Sequence, residues 1–122
     1  MLPLEIQELL KEIENKTKDY NNYIINFCIA YGGRLELLEA INKLKNKKGE
    51  IKEEDVGKAL WLSSEPDLII RTGDRRRTSN FLPWQSIYSE WFFLEKMWPE
   101  FTKEDLKEAI EHFSKSQRNF GK

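Results

Sequence analysis

The stretch PDLIIRTGDRRRTSNF, residues 66–81, is the most informative part of this 122-residue sequence. Its first part, residues 67–71, is a short apolar run typical of a strand that is covered on both faces. Residues 72–82 are rich in charged and hydroxyl side chains and are predicted to form a loop. The pattern therefore indicates a strand whose carboxyl end delivers a charged loop to the edge of a sheet.

Arginine is concentrated in this loop. The fourteen lysines are scattered, whereas four of the six arginines lie in one seven-residue window, at Arg71, Arg75, Arg76 and Arg77. A guanidinium binds phosphate or carboxylate through two parallel hydrogen bonds, which an ammonium cannot do. Gly73 would let the backbone approach an anion closely, and nearby hydroxyls such as Ser79 could complete its hydrogen bonds. The loop therefore predicts a local oxyanion site.

Spacing alone leaves two other interpretations of the loop open. Its arginines could simply pair with surface carboxylates, or they could bind RNA or DNA, with Phe81 and Trp84 supplying stacking surfaces. The net charge of −1 argues against a protein devoted wholly to nucleic acid.

Working outward, apolar periodicity predicts four helices and three strands. The helices are expected at about residues 4–18, 35–46, 53–62 and 103–118, and the strands at residues 23–30, 67–71 and 91–94. This order indicates one α/β unit over residues 1–122, with a parallel sheet of about three strands flanked by helices. Two turns, Gly32-Gly33-Arg34 and Arg71-Thr72-Gly73, would then lie at strand ends and face one crevice.

The same periodicity predicts which side chains are buried. The expected inward residues are Ile6, Leu9, Leu10 and Ile13, then Leu37, Leu38, Ile41 and Leu44, then Val56, Leu60 and Trp61, and finally Leu106, Ala109, Ile110 and Phe113. Thr102 and Asp105 resemble a capping box that opens the last helix. Cys28 is expected to be a buried thiol and His112 a surface side chain. The aromatic side chains could form either a hydrophobic interface or ordinary core; they are Trp84, Trp91, Phe92, Phe93 and Trp98.

The apolar runs are all shorter than the roughly 18 residues that a membrane-spanning helix needs. The first residues read as an amphipathic helix and not as a signal peptide. A cytoplasmic location is therefore expected.

Several segments of the chain resemble the cis-prenyltransferase family, which includes undecaprenyl diphosphate synthases. The matching segments are residues 66–73, residues 77–85, Tyr88-Ser89-Glu90, Trp98-Pro99-Glu100-Phe101, the upstream turn Gly32-Gly33-Arg34, and Arg118-Asn119-Phe120-Gly121 near the end. The resemblance runs through nearly the whole chain at the family's spacing.

The resemblance implies a Mg²⁺-dependent transferase that condenses isopentenyl diphosphate with an allylic diphosphate in cis geometry. It implies that Arg71, Arg77 and Ser79 hold the isopentenyl diphosphate headgroup. It further implies that Glu90 belongs to the Mg²⁺ site and the subunit interface of a dimer. No nucleic acid partner is expected, and the lipid product would bring peripheral contact with a membrane.

Two departures from the family pattern matter. Asp74-Arg75 stands where the family usually has Gly-Glu, and nothing in the chain matches the N-terminal HxxDGNxRW motif, whose aspartate helps to bind Mg²⁺. The chain is therefore expected to correspond to the C-terminal half of the enzyme and to need a partner that supplies the other half. The alternative is a noncatalytic subunit of a heteromeric cis-prenyltransferase.

Overall fold

The computed structural model describes residues 2–116, which divide into two compact units between Tyr31 and Gly32. The first unit contains helix α1, Leu4–Thr17. The second unit contains, in chain order, α2 (Gly33–Leu44), α3 (Glu53–Ala59), β1 (Leu68–Thr72), β2 (Glu90–Leu94) and α4 (Lys103–Lys115). None of the helices within residues 2–116 combines the length and the apolar character required to cross a bilayer.

Helix α1 forms where the sequence predicts it, but its predicted buried stripe is wrong. The carbonyl of Pro3 accepts hydrogen bonds from the amides of Ile6 and Gln7, both at 3.1 Å, and so starts the helix. Leu9 and Ile13 are 54% and 56% exposed. The reason is that residues 2–31 contain no second helix or strand to cover them.

The predicted strand over residues 23–30 and the predicted burial of Cys28 are both wrong. These residues form neither helix nor strand, and the Cys28 side chain is exposed. Tyr23, Ile24 and Phe27 are 87%, 84% and 76% exposed. A strand requires ladder hydrogen bonds to a neighbouring strand, and the described residues offer this segment none. The sheet therefore has two strands within residues 2–116 and not the three that were predicted.

The α/β class and the parallel pairing are confirmed. β1 and β2 pair in parallel over five residues, from Leu68 opposite Glu90 to Thr72 opposite Leu94. Because side chains alternate along a strand, Arg71 and Glu90 belong to opposite faces of the pair. On the Glu90 face, the ring of Phe92 meets the imidazole of His112 in α4, with ring centroids 5.4 Å apart.

The helices of the second unit bury narrower stripes than predicted. Leu60 and Ala109 are buried as expected, but Leu38 and Ile41 of α2 are 58% and 60% exposed. Trp61, Leu106 and Ile110 are likewise exposed. The buried residues of α2 are instead Gly33, Glu36 and Ala40. The small Gly33 lets that side of the helix lie against Asn80 and Pro83.

Candidate functional site

The arginine loop, residues 73–82, follows β1 directly, and Arg71 holds it together. Nη1 of Arg71 donates to Oγ of Ser79 at 3.1 Å and also to the backbone carbonyl of Arg77. Of the three residues that the resemblance matched to a diphosphate headgroup, the structure thus brings together the Arg71 guanidinium, the Ser79 hydroxyl and the backbone of Arg77. Their charges and hydroxyl are of the kind that binds phosphate oxygens.

The backbone of this loop is tightly turned. Gly73 has a φ of 101°, a conformation that glycine adopts without steric cost, and its amide donates to the carbonyl of Lys96 at 2.8 Å. Ser79, Asn80 and Leu82 also have positive φ, at 50°, 65° and 46°. Such values are uncommon for residues with a Cβ atom and occur where surrounding contacts enforce them.

The second turn predicted for the site, Gly32-Gly33-Arg34, contacts the arginine loop through Asn80. The amide of Gly33 donates to the Asn80 carbonyl at 2.9 Å, and the amide of Arg34 donates to Oδ1 of Asn80, also at 2.9 Å. A Cβ atom on Gly33 would lie 2.0 Å from Cδ of Pro83, which is far too close. Glycine is therefore required where the two turns meet.

An open cleft of about 480 Å³ lies beside this contact. Its lining residues are Arg34, Leu37, Thr78, Asn80 and Pro83. The cleft thus combines a guanidinium, a hydroxyl and an amide with two apolar side chains. Such a mixture suits a small ligand with an anionic head and an apolar body.

Glu90, the residue matched to the metal site, lies away from the arginine loop. It begins β2 opposite Leu68, whereas Gly73 follows the far end of β1. Its amide donates to the carbonyl of Asp67 at 2.9 Å, and its Oε1 lies 3.8 Å from Nδ1 of His112. His112 is half exposed, as expected of a surface side chain. Across residues 2–116, no three acidic, histidine or cysteine side chains cluster as metal ligands.

The two residues that depart from the family pattern pair with each other. Nη2 of Arg75 lies 3.7 Å from Oδ2 of Asp74, and both side chains are mostly exposed. Asp74 thus partly offsets the positive charge that Arg75 adds to the loop.

An ion pair between Lys96 and Asp105 holds the residue that contacts the start of the arginine loop. Lys96, whose carbonyl accepts from Gly73, places Nζ 2.7 Å from Oδ1 of the buried Asp105. The hydrogen bond from Lys96, followed by those from Thr102, holds the pKa of Asp105 below its ordinary value. The same hydrogen bond raises the pKa of Lys96. Thr102 and Asp105 also form the predicted capping box of α4.

Two buried polar residues near the arginine loop were not singled out from the sequence, although Gln85 ends the matching segment 77–85. Glu36 and Gln85 are fully buried, and Nε2 of Gln85 donates to both Glu36 carboxylate oxygens, at 3.1 and 3.2 Å. The sequence contains only a weak indication that Glu36 is buried. Glu36 follows Gly33 by three residues and therefore shares its helix face.

Comparison with known proteins agrees with these observations. The prenyltransferase family model described as undecaprenyl diphosphate synthase matches residues 1–121. The chain is 42% identical to a tritrans,polycis-undecaprenyl-diphosphate synthase (geranylgeranyl-diphosphate specific) of Methanocaldococcus jannaschii, over 100% of this chain and 48% of the relative. It is 43% identical to an isoprenyl transferase of Thermotoga maritima, over 98% of this chain and 54% of the relative.

Solved structures give the same result. The structure of a probable undecaprenyl diphosphate synthase from Campylobacter jejuni matches with a TM-score of 0.90 at 37% identity, covering 99% of this chain and 58% of that one. Lavandulyl diphosphate synthase from Lavandula x intermedia matches with a TM-score of 0.92 at 28% identity, covering 99% and 56%. The chain spans about half the length of the curated relatives that it matches. With a family match over nearly every residue, the chain belongs to the cis-prenyltransferase family of undecaprenyl diphosphate synthase.

Proposed function

We propose that this chain supplies the isopentenyl diphosphate site of an enzyme that condenses isopentenyl diphosphate with an allylic diphosphate in cis geometry. The supporting observation is the position of Arg71, which donates to Ser79 and to the carbonyl of Arg77 and so gathers the headgroup residues. A guanidinium is positively charged and donates forked hydrogen bonds, which suits Arg71 and Arg77 to a diphosphate. Binding in this way orients the apolar end of the substrate for condensation.

A magnesium ion fits this proposal only in part. Mg²⁺ is commonly held by one or two carboxylates together with substrate phosphate oxygens. Glu90 would supply one carboxylate, and an aspartate of the family's N-terminal half would supply a second. The ion would stabilise negative charge on the departing diphosphate.

The chain would act as the C-terminal half of the enzyme, over residues 1–122. It spans about half of its relatives, and its large apolar side chains at Tyr23, Ile24 and Phe27 are exposed. Exposed apolar patches mark surfaces that contact another protein. In the proposed enzyme an N-terminal half covers these residues. A dimer interface would include Glu90 and the exposed Trp98, which stacks on Phe101 with ring centroids 5.5 Å apart.

The proposed place of action is the cytoplasm, with peripheral membrane contact made through the lipid product. The substrates are diphosphates and the product carries a long apolar chain, so the enzyme works between water and lipid.

The test is an incorporation assay with radiolabelled isopentenyl diphosphate and an allylic diphosphate. The 122-residue chain is assayed alone, and then with a separately expressed N-terminal half of a family member. We expect no product from the chain alone and a lipid product after mixing, because only the mixture holds both diphosphate sites. The mixture with Arg77→Ala in this chain is the matched control.

Each outcome of this assay is informative. Robust synthesis by the chain alone would contradict its role as half of an enzyme. A stable mixed complex that binds isopentenyl diphosphate without turning it over would favour a noncatalytic subunit. If the chain binds an oligonucleotide with an affinity that depends steeply on salt, and binds no diphosphate, a nucleic-acid-binding module would be favoured instead.

A further inference from the structure

The two largest fully buried side chains among the described residues are polar and lie against each other. Glu36 of α2 is 0% exposed, and Gln85, three residues beyond the arginine loop, is 1% exposed. Besides both oxygens of Glu36, Nε2 of Gln85 contacts the carbonyl of Leu62 at 2.8 Å, to which it donates. Burying a carboxylate is costly unless donors surround it, so this pair needs a physical explanation.

Glu36 is held from a second direction. Its Oε1 accepts hydrogen bonds from the amides of Trp61 at 2.9 Å and Leu62 at 3.1 Å. An ionised carboxylate can only accept, and the partners named here are all donors. The Glu36–Gln85 pair therefore joins three segments of the chain. They are α2, Trp61-Leu62 after α3, and the segment that contains Gln85, three residues beyond the arginine loop.

Glu36 also fixes the orientation of the Gln85 amide. Oε1 of Gln85 is buried and has no hydrogen-bond partner among residues 2–116. Turning the amide over would place this oxygen against the Glu36 carboxylate, so Glu36 fixes the amide in the orientation that leaves Oε1 unpaired. The bonds to Glu36 and to the carbonyl of Leu62 therefore hold Gln85 in a single position.

We propose that the Glu36–Gln85 pair positions the arginine loop for diphosphate binding, an inference that rests on the proposed function. The pair lies next to the contact between the two turns, since Glu36 follows Gly33 and Arg34 while Gln85 follows Asn80. β1 fixes the start of the loop, and the pair fixes its end. Without the pair, Arg77 and Ser79 lose an anchor on the C-terminal side of the loop, and binding geometry is sensitive to such shifts.

Replacement of Gln85 by methionine tests this proposal, because methionine keeps the length of the side chain and removes its hydrogen bonds. The protein is the 122-residue chain in the assembly in which it is purified. We expect the affinity for isopentenyl diphosphate, measured by calorimetry, to fall about tenfold. We also expect amide hydrogen exchange at Gly33 and Arg34 to accelerate by about the same factor, since their bonds to Asn80 open more often.

The matched control is Ala40→Gly, which lowers stability on the same buried face of α2 and leaves the pair intact. A second variant, Glu36→Gln, keeps an oxygen for the amides of Trp61 and Leu62 but turns an amide toward Gln85, and we expect it to weaken binding as well. If the Gln85→Met variant does not fold, the affinity of the Glu36→Gln variant for isopentenyl diphosphate provides the test.

The proposal is overturned if affinity is unchanged in both pair variants, or if Ala40→Gly reduces it as much as they do. If the unsubstituted chain binds no isopentenyl diphosphate, the proposed function fails. In that case, the exchange rates at Gly33 and Arg34, which need no ligand, still decide whether the pair holds the loop.

Discussion

Nη1 of Arg71 lies 3.1 Å from Oγ of Ser79, so a residue of β1 holds a hydroxyl eight positions further along the chain. The same nitrogen donates to the carbonyl of Arg77. A guanidinium has three nitrogens with five N–H groups, and both of these contacts use Nη1. Arg71 therefore shapes the arginine loop, and in the proposed function its other donors would bind the diphosphate.

Arg77→Ala should weaken the binding of isopentenyl diphosphate tenfold or more. The loss of a charge-assisted contact to phosphate costs about 1.5–3 kcal/mol. The backbone carbonyl that accepts from Arg71 is retained in alanine, so the loop itself should persist. Calorimetry on the binding-competent assembly measures the change. Arg75→Ala is the matched control, because it removes the same charge two residues away, from an exposed side chain paired with Asp74. Equal losses in both variants would mean that only the net charge of the loop matters.

Gly33→Ala should destabilise the fold and weaken diphosphate binding. The new methyl group would overlap Pro83, at 2.0 Å from Cδ and 2.5 Å from Cγ, so the turn must move. Overpacking of this kind costs about 1–3 kcal/mol. Thermal melting and calorimetry would measure both effects. At Gly57 in α3 an added Cβ atom meets nothing within 4 Å, so Gly57→Ala should instead stabilise the protein by about 0.5–1 kcal/mol. An unchanged melting temperature in Gly33→Ala would contradict the close approach described here.

Glu90→Gln should reduce Mg²⁺-dependent turnover by at least about tenfold while leaving the melting temperature nearly unchanged. The amide keeps the shape of the side chain and removes the charge that a hard cation requires. Turnover is measured across a Mg²⁺ titration in the complete enzyme, alongside thermal melting. Glu95→Gln, at an exposed position just after β2, is the control. A normal rate with a normal Mg²⁺ dependence would remove Glu90 from the metal site.

Asp105→Asn should lower the melting temperature at neutral pH, and the difference should shrink in acid. Because the folded-state pKa of Asp105 lies below its ordinary value of 3.8, its charge stabilises the fold above that pH. This stabilisation is lost as the pH falls further below 3.8. The pKa of Lys96 is raised above 10.5, so its contribution is present below pH 10.5 and is lost only at higher pH. Melting curves from acid to neutral pH give the test.

Lys96→Met serves as the companion variant for this ion pair. It should show a similar loss at neutral pH, and the double variant should lose less than the sum of the two single losses. Additive losses, or a difference that grows in acid, would contradict the assignment.

The sequence predicted the strands of the second unit well and failed for residues 23–30, which pair with no strand among the described residues. β1 and β2 agree with the prediction within one residue, since each is a short apolar run with clear boundaries. Residues 23–30 show an equally clear apolar run, but a run becomes a strand only when a neighbour pairs with it. The faces of α2 were misjudged because Leu38 and Ile41 are apolar and yet exposed, while Glu36 is buried.

The candidate site was predictable where its residues lie close together in the sequence. Arg71, Arg77 and Ser79 lie within nine consecutive positions, so a single motif of the family pattern includes all three. Glu36 and Gln85 are 49 positions apart, and nothing in the local sequence around either residue shows that they meet. Asn80 was predicted only as part of the motif, because its bonds to Gly33 and Arg34 depend on how α2 packs.

The positive φ values of Ser79, Asn80 and Leu82 have a consequence for the order of folding. Each such residue costs on the order of 1 kcal/mol or more in isolation. The Asn80 bonds to Gly33 and Arg34, which help to offset this cost, exist only after α2 has docked. The arginine loop should therefore close late, after the folding transition state. Substitutions in it should then speed unfolding while leaving the folding rate almost unchanged.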